Sequence, residues 1–244
     1  LANSPAVDMG LAVACAAALF FPGLALLRLA GSPSRGLERA ALAVGLSIAA
    51  APLALLGTSL AGVAWSRGRV VAVVIVLGAL ALAPRAGRAR GLASDRPAPE
   101  LPDAPTWAAL AVLATALVGR AVQARGVALP LWVDGYHHTL IVELILRAGA
   151  VPEGFRPFVD VDGFYYHFGF HALAAEVGWL AGAPSPRATL WVGQALAATT
   201  ALTLWLLALR LTGSRWAAAA AAAGPAGLYH FPAYFLTWGR YTQL

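Results

Sequence analysis

The chain has 244 residues, 60% of them hydrophobic and only 11% charged, against roughly 25% charged in a soluble domain. This excludes an ordinary soluble globule and points to an all-α, polytopic membrane helix bundle whose first partner is the lipid bilayer. The net charge of +6 comes from 17 arginines and no lysine, many of them between apolar runs. That pattern reads as topology signal, so no nucleic-acid partner is expected.

The first predicted span covers 9–27. It is longer than a signal-peptide core and has an acidic flank at Asp8, so a spanning helix is expected. The single Cys15 lies within it and reads as a small buried residue, with no disulfide possible inside the chain. Spans are also expected over 40–64, 70–84 and 104–119, because a bilayer core of about 30 Å needs roughly 20 apolar helical residues. Residues 188–209 and 216–238 complete a set of about six spans, and the run of alanines at 217–223 suits close helix packing. Arg28, Arg35 and Arg39 follow the first span, and Arg85, Arg88, Arg90 and Arg96 follow the third. If both arginine groups are cytoplasmic, the N-terminus and the polar stretch 120–187 lie outside the plasma (inner) membrane. Residues 1–103 then form an extension of three spans ending in a basic linker, and 104–244 a second unit. Abundant Ala, Arg and Gly without Lys fit a GC-rich, bacterial coding sequence. The ends at Leu1 and "GRYTQL" suggest a piece of a longer protein.

The stretch 120–187 interrupts the apolar pattern. Residues 134–176 hold six of the eleven acids and four of the five histidines. "WVDGYHHTLIVELILRAG" (132–149) predicts an amphipathic helix, with Leu140, Ile141, Leu144, Ile145 and Ala148 on one stripe. Glu143 and Arg147 are spaced i,i+4 as an exposed pair. Asp134 is either a cap of that helix or a functional carboxylate facing one cavity with His137 and His138. The following loop carries Arg156, Asp160 and Asp162. His167 and His171 are i,i+4, a spacing that can hold a divalent metal, so Asp134, His167 and His171 form an alternative metal site. The zincin pattern is missing, since Phe168 follows His167 where a glutamate is required. The segment 164–182 is expected to lie as a helix at the outer interface, with Trp179, Trp191 and Trp238 as interface anchors. Tyr166 and its aromatic neighbours suit either sugar stacking or interface anchoring.

The order of these elements over 105–244, with an early aspartate in "VDGYHH", the run "YYHFGFHALAAEVGWLAGAPSPRA" and a span starting "PRATLWVGQAL", resembles the GT-C class of membrane glycosyltransferases. Among these it is most similar to the protein mannosyltransferase and aminoarabinose-transferase type. The resemblance implies a polyprenyl-phosphate sugar donor and transfer at the outer membrane face. Asp134 would be the general base, with His137, His138 and His171 beside it. Arg156, Arg240, Asp160, Asp162, Tyr166 and His167 would contact substrate. The family carries an acidic pair where this chain has a single Asp followed by Gly. A transporter or channel, or a metal-dependent membrane enzyme built on the histidines, are the rival readings.

Overall fold

The computed structural model describes residues 4–84, 102–161, 163–227 and 229–243. Asp162 and the basic linker with Arg85, Arg88, Arg90 and Arg96 lie outside the described residues. The described residues are helical, without strands, in the order α1 (Pro5–Leu29), α2 (Gly36–Leu60), α3 (Arg67–Leu82), α4 (Ala104–Ala124), α5 (Trp132–Ala148), α6 (Gly169–Ala181), α7 (Ser185–Thr212) and α8 (Arg215–Gly227). A π-helical segment (Tyr229–Tyr234), α9 (Phe235–Thr237) and a final 3-10 turn (Tyr241–Gln243) follow.

Four helices, α1, α2, α4 and α7, are long and apolar enough to cross a membrane. The other two expected spans differ from that pattern. At 16 residues, α3 extends only about 24 Å at 1.5 Å per residue. The run 216–238 is not one helix, because α8 ends at Gly227 and gives way to the π-helical segment, with Pro225 and Pro232 each withholding an amide proton.

Ion pairs and caps sort the helix termini into two ends. At one end, Arg28 reaches the carbonyls of Ala83 and Pro84, Arg210 pairs with Glu38, and Arg215 pairs with Asp103 at 2.8 Å. At the other, Arg187 at the start of α7 joins Asp8 of α1 and the Ala124 and Val127 carbonyls after α4. There too Trp65 donates its amide to Gly149 at 2.7 Å, and Val151 donates to the Ser59 hydroxyl at 2.8 Å. All of α5 and α6 belong to this second end. The chain from Arg215 to Arg240 therefore runs from the first end, where Arg215 meets Asp103, to the second, where Arg240 meets Asp134.

Small residues permit the close crossings. A Cβ on Gly23 would overlap the Ala43 backbone, and the Gly23 amide donates to the Ser47 hydroxyl at 2.8 Å. The alanine run of α8 packs as its composition suggests, with Ala218, Ala219 and Ala222 buried against Ala109, Ala201 and Trp205. Cys15 is buried. Residues of α1 and α2 such as Leu11, Leu19 and Val44 share one core with Ile141 of α5, Leu173 of α6 and Val192 of α7.

Two expected surface elements are interior. Nearly the whole of α6 is buried, from Phe170 through Ala175, then Val177 and Gly178. Its sequence "GFHALAAEVGWLA" has small or apolar residues around most of its circumference, so neighbouring helices enclose it instead of leaving one face exposed. Trp191 is also buried instead of anchoring an interface, while Trp179 and Trp238 are half-buried.

Candidate functional site

The polar residues of α5 and α6 meet in a single cluster. The buried stripe of α5 is His138, Ile141, Val142, Leu144 and Ile145, with Leu140 half-buried and Ala148 exposed, so three of the five expected apolar positions face inward and His138 and Val142 widen that face. His138, expected to face a cavity with Asp134 and His137, occupies an inward position while His137 does not. Its Nδ1 lies 2.9 Å from Nε2 of His171, and both imidazoles are shut off from solvent. One ring nitrogen donates and the other accepts, a contact that two neutral rings can make. Burial holds both in that state, driving His138 down to about 4 and His171 to about 3. For His138 the nearby Asp134 works against the drop; for His171 the His138 ring adds to it. The remaining nitrogen of His171, Nδ1, is buried without a hydrogen-bond partner.

Aromatic rings enclose the pair. Tyr166, Phe170 and Tyr241 stand 5.9–6.0 Å from His138, centroid to centroid. Tyr241 stacks on Phe170 at 5.6 Å with 9° between planes, and burial pushes its phenol up, so it stays protonated. Two glycines make room for this tyrosine. A Cβ on Gly193 of α7 would overlap the Tyr241 ring. At Gly239 φ is +67°, and a Cβ would lie 2.5 Å from the Leu131 carbonyl oxygen, so both conformation and space require glycine.

The same turn delivers Arg240. Its Nε is 3.7 Å from Oδ2 of Asp134, both side chains being about half exposed, and its guanidinium lies over Trp238 at 5.4 Å. Trp238 in turn contacts Trp132 at 5.2 Å. Asp134 is not the cap of α5. Leu131 occupies that position, and Asp134 sits in the first helical turn, where the helix dipole favours a carboxylate. The site is thus layered: an exposed Asp134–Arg240 pair beside a tryptophan shelf, above a buried histidine pair clasped by Tyr241.

Other anticipated residues fall outside this cluster. His137 is exposed while its neighbour His138 is buried. His167 is exposed and stacks on Tyr166 at 4.2 Å. Arg156 and Asp160 pair with each other at 2.6 Å on the exposed loop surface. Glu143 and Arg147 form the expected surface pair at 2.7 Å, and Arg147 covers the Phe158 ring. The alternative metal site does not fit. His171 Nε2 is engaged by His138, the His167 and His171 rings are 6.4 Å apart, and no group of three His, Cys, Asp or Glu is disposed to hold a metal among the described residues. Tyr241, Gly239 and Gly193 were not recognised from sequence. Arg187, fully buried with Asp8, was also passed over, because a lone Arg and a lone Asp 179 residues apart carry no local signal.

Fold and site together define a multi-helix membrane protein with a polar cluster enclosed at one end of the bundle. The chain belongs to a family of unknown function, DUF6541, which it matches over residues 16–242, across nearly all of the helices described above. No curated protein and no solved structure matches it.

Proposed function

We propose that this protein is a GT-C-like membrane glycosyltransferase that moves a sugar from a polyprenyl-phosphate donor to an acceptor hydroxyl at the outer face of the plasma membrane. In this arrangement six segments cross the bilayer. They are the four long helices, α3, and the compound run from α8 to α9, and together they leave the α5–α6 end outside. The observation that carries the reading is the placement of an accessible carboxylate, Asp134, 3.7 Å from an accessible guanidinium, Arg240, on one edge of an aromatic shelf. A carboxylate next to a cation and flat aromatic faces is what displacement of a sugar from phosphate requires.

The acceptor oxygen attacks the anomeric carbon while the bond from that carbon to the phosphate oxygen breaks. The electron pair leaves with the phosphate, whose charge Arg240 balances through its planar fork of donors. The acceptor proton passes to Asp134 as the new bond forms. Phosphate leaves readily, so no strong general acid is needed. Trp132 and Trp238 offer faces for the sugar. His138 and His171 are enclosed, so they act as positioning residues. As a neutral hydrogen-bonded pair they fix α5 against α6 and hold Tyr241, and with it the turn that carries Arg240.

In membranes containing the full protein, Asp134→Asn should lower transfer from a polyprenyl-phosphate sugar by roughly 10²- to 10⁴-fold while insertion is unchanged. Undiminished transfer in that variant would remove Asp134 as the base. A donor Km unaltered by Arg240→Gln would remove Arg240 as the phosphate ligand.

A further inference from the structure

A second site is built between α1, α4 and α7, on spanning helices. These three helices enclose a cleft of about 310 Å³. Its walls are apolar, with Leu19 and Phe20 on α1 and Leu117 and Val118 on α4. Leu117 and Val118 are 44% and 64% exposed on a helix able to cross the membrane, so the rim of the cleft faces the bilayer.

Besides Cys15 and Thr199, whose hydroxyl is bonded to the Leu196 carbonyl, three groups with polar atoms line this mostly apolar space. Arg120 makes one hydrogen bond, to the neutral Gln123 side chain at 2.9 Å, and has no acidic partner among the described residues. Gln194 and Trp191 are each more than nine-tenths buried, and neither Gln194 Oε1 nor Trp191 Nε1 has a hydrogen-bond partner. Leaving such groups unpaired is costly, and more so for a charge. The Gln194 side chain also carries an NH₂, a donor in its own right. With Trp191 Nε1 and the Arg120 guanidinium it places donors on the lining of a cleft that holds no acidic residue among those described.

From this we infer that the α1–α4–α7 cleft binds a phosphate-headed lipid, its phosphate on Arg120, Trp191 and Gln194 and its chain along Leu19, Phe20, Leu117 and Val118. The charge complementarity selects the phosphate, and the opening onto exposed apolar helix surface selects a lipid over a soluble phosphate. The site shares no residue with the Asp134–Arg240 cluster, so the inference stands whether or not that cluster transfers sugar.

The test is native mass spectrometry of the full chain released from nanodiscs, with three separate supplements: polyprenyl phosphate, phosphatidylglycerol, and diacylglycerol as a phosphate-free control. One phosphate-headed lipid should stay bound to the wild type, and diacylglycerol should not. Arg120→Gln should weaken retention by about tenfold or more, the loss expected for one charge-assisted contact. Leu117→Trp, which fills the cleft from its exposed rim and leaves the charge in place, should do the same. Preference for polyprenyl phosphate would assign the cleft to a lipid-linked substrate, and preference for phosphatidylglycerol to a bilayer lipid; both uphold the site. Retention unchanged in both variants, or equal retention of diacylglycerol, overturns it and leaves Arg120 as a side chain reaching the interface. Thermal melting of each variant separates lost binding from lost folding.

Discussion

Acidification should loosen this protein through the His138–His171 pair. In the unfolded chain both imidazoles titrate near 6.5. In the folded protein burial holds them at about 4 and about 3, so the folded state binds fewer protons than the unfolded one. Stability is therefore fully present above about pH 6.5 and declines as the pH falls through the window down to 4 for His138 and 3 for His171. Each imidazole contributes a slope of about 1.4 kcal/mol per pH unit inside its window. From about pH 6.5 to about pH 5 the two together remove on the order of 4 kcal/mol. At roughly 2–4 °C per kcal/mol for a chain of this size, the melting temperature should fall by roughly 8–16 °C. Asp134 favours charging of His138, while His137 and His167 oppose it, so these neighbours set the exact slope. The assay is intrinsic tryptophan fluorescence of the detergent-solubilised protein, melted at a series of pH values. The comparison is His138→Gln/His171→Asn, in which the carboxylates still titrate but the pair does not. The wild type should lose melting temperature more steeply than this variant. Parallel curves would refute the reasoning, because they would mean that the buried imidazoles are not held neutral.

Two further perturbations probe the packing around the site. Gly193→Leu should displace the Tyr241 ring and destabilise the protein by about 1–3 kcal/mol, the usual range for overpacking. Adding Tyr241→Ala should restore part of that loss in thermal melting, which it would fail to do if the two residues did not touch. Asp8→Asn should cost about 3–5 kcal/mol by leaving the enclosed Arg187 cation without its carboxylate. The double variant Asp8→Leu/Arg187→Met should melt closer to wild type than Asp8→Asn does, because no unpaired charge remains.

Local chemistry made much of this molecule legible in the sequence. Long apolar runs without charge can only be helices that satisfy their own backbone, so α1, α2, α4 and α7 follow from composition and length. The Glu143–Arg147 pair follows from i,i+4 spacing, and the concentration of histidines and acids in 134–176 marked the region where the cluster forms. The segments least well read were those where period and polarity conflict. His137 and His138 are alike in sequence, yet only His138 meets a partner across the helix interface that offsets its burial. The short helix α6 has too few polar residues to betray which face meets solvent, because it has hardly any such face. The break in 216–238 came from Pro225 and Pro232 acting on an otherwise uniform apolar run.

By itself, then, the sequence determined that the chain is a helical membrane protein and that Asp134 and Arg240 are groups worth testing. It could not say that these two, 106 positions apart, stand side by side, nor that Asp8 is the counter-ion of Arg187. Those pairings depend on where the packed helices place their ends. The tertiary structure decided the first through close approaches at Gly193 and Gly239, which leave room for the C-terminal turn against α5 and α7, and the second by packing α1 against the start of α7. Backbone hydrogen bonding and apolar periodicity act over a few residues and can be read along the chain. Desolvation and charge pairing act through space, and they assign a histidine or an arginine its state only once the helices are packed.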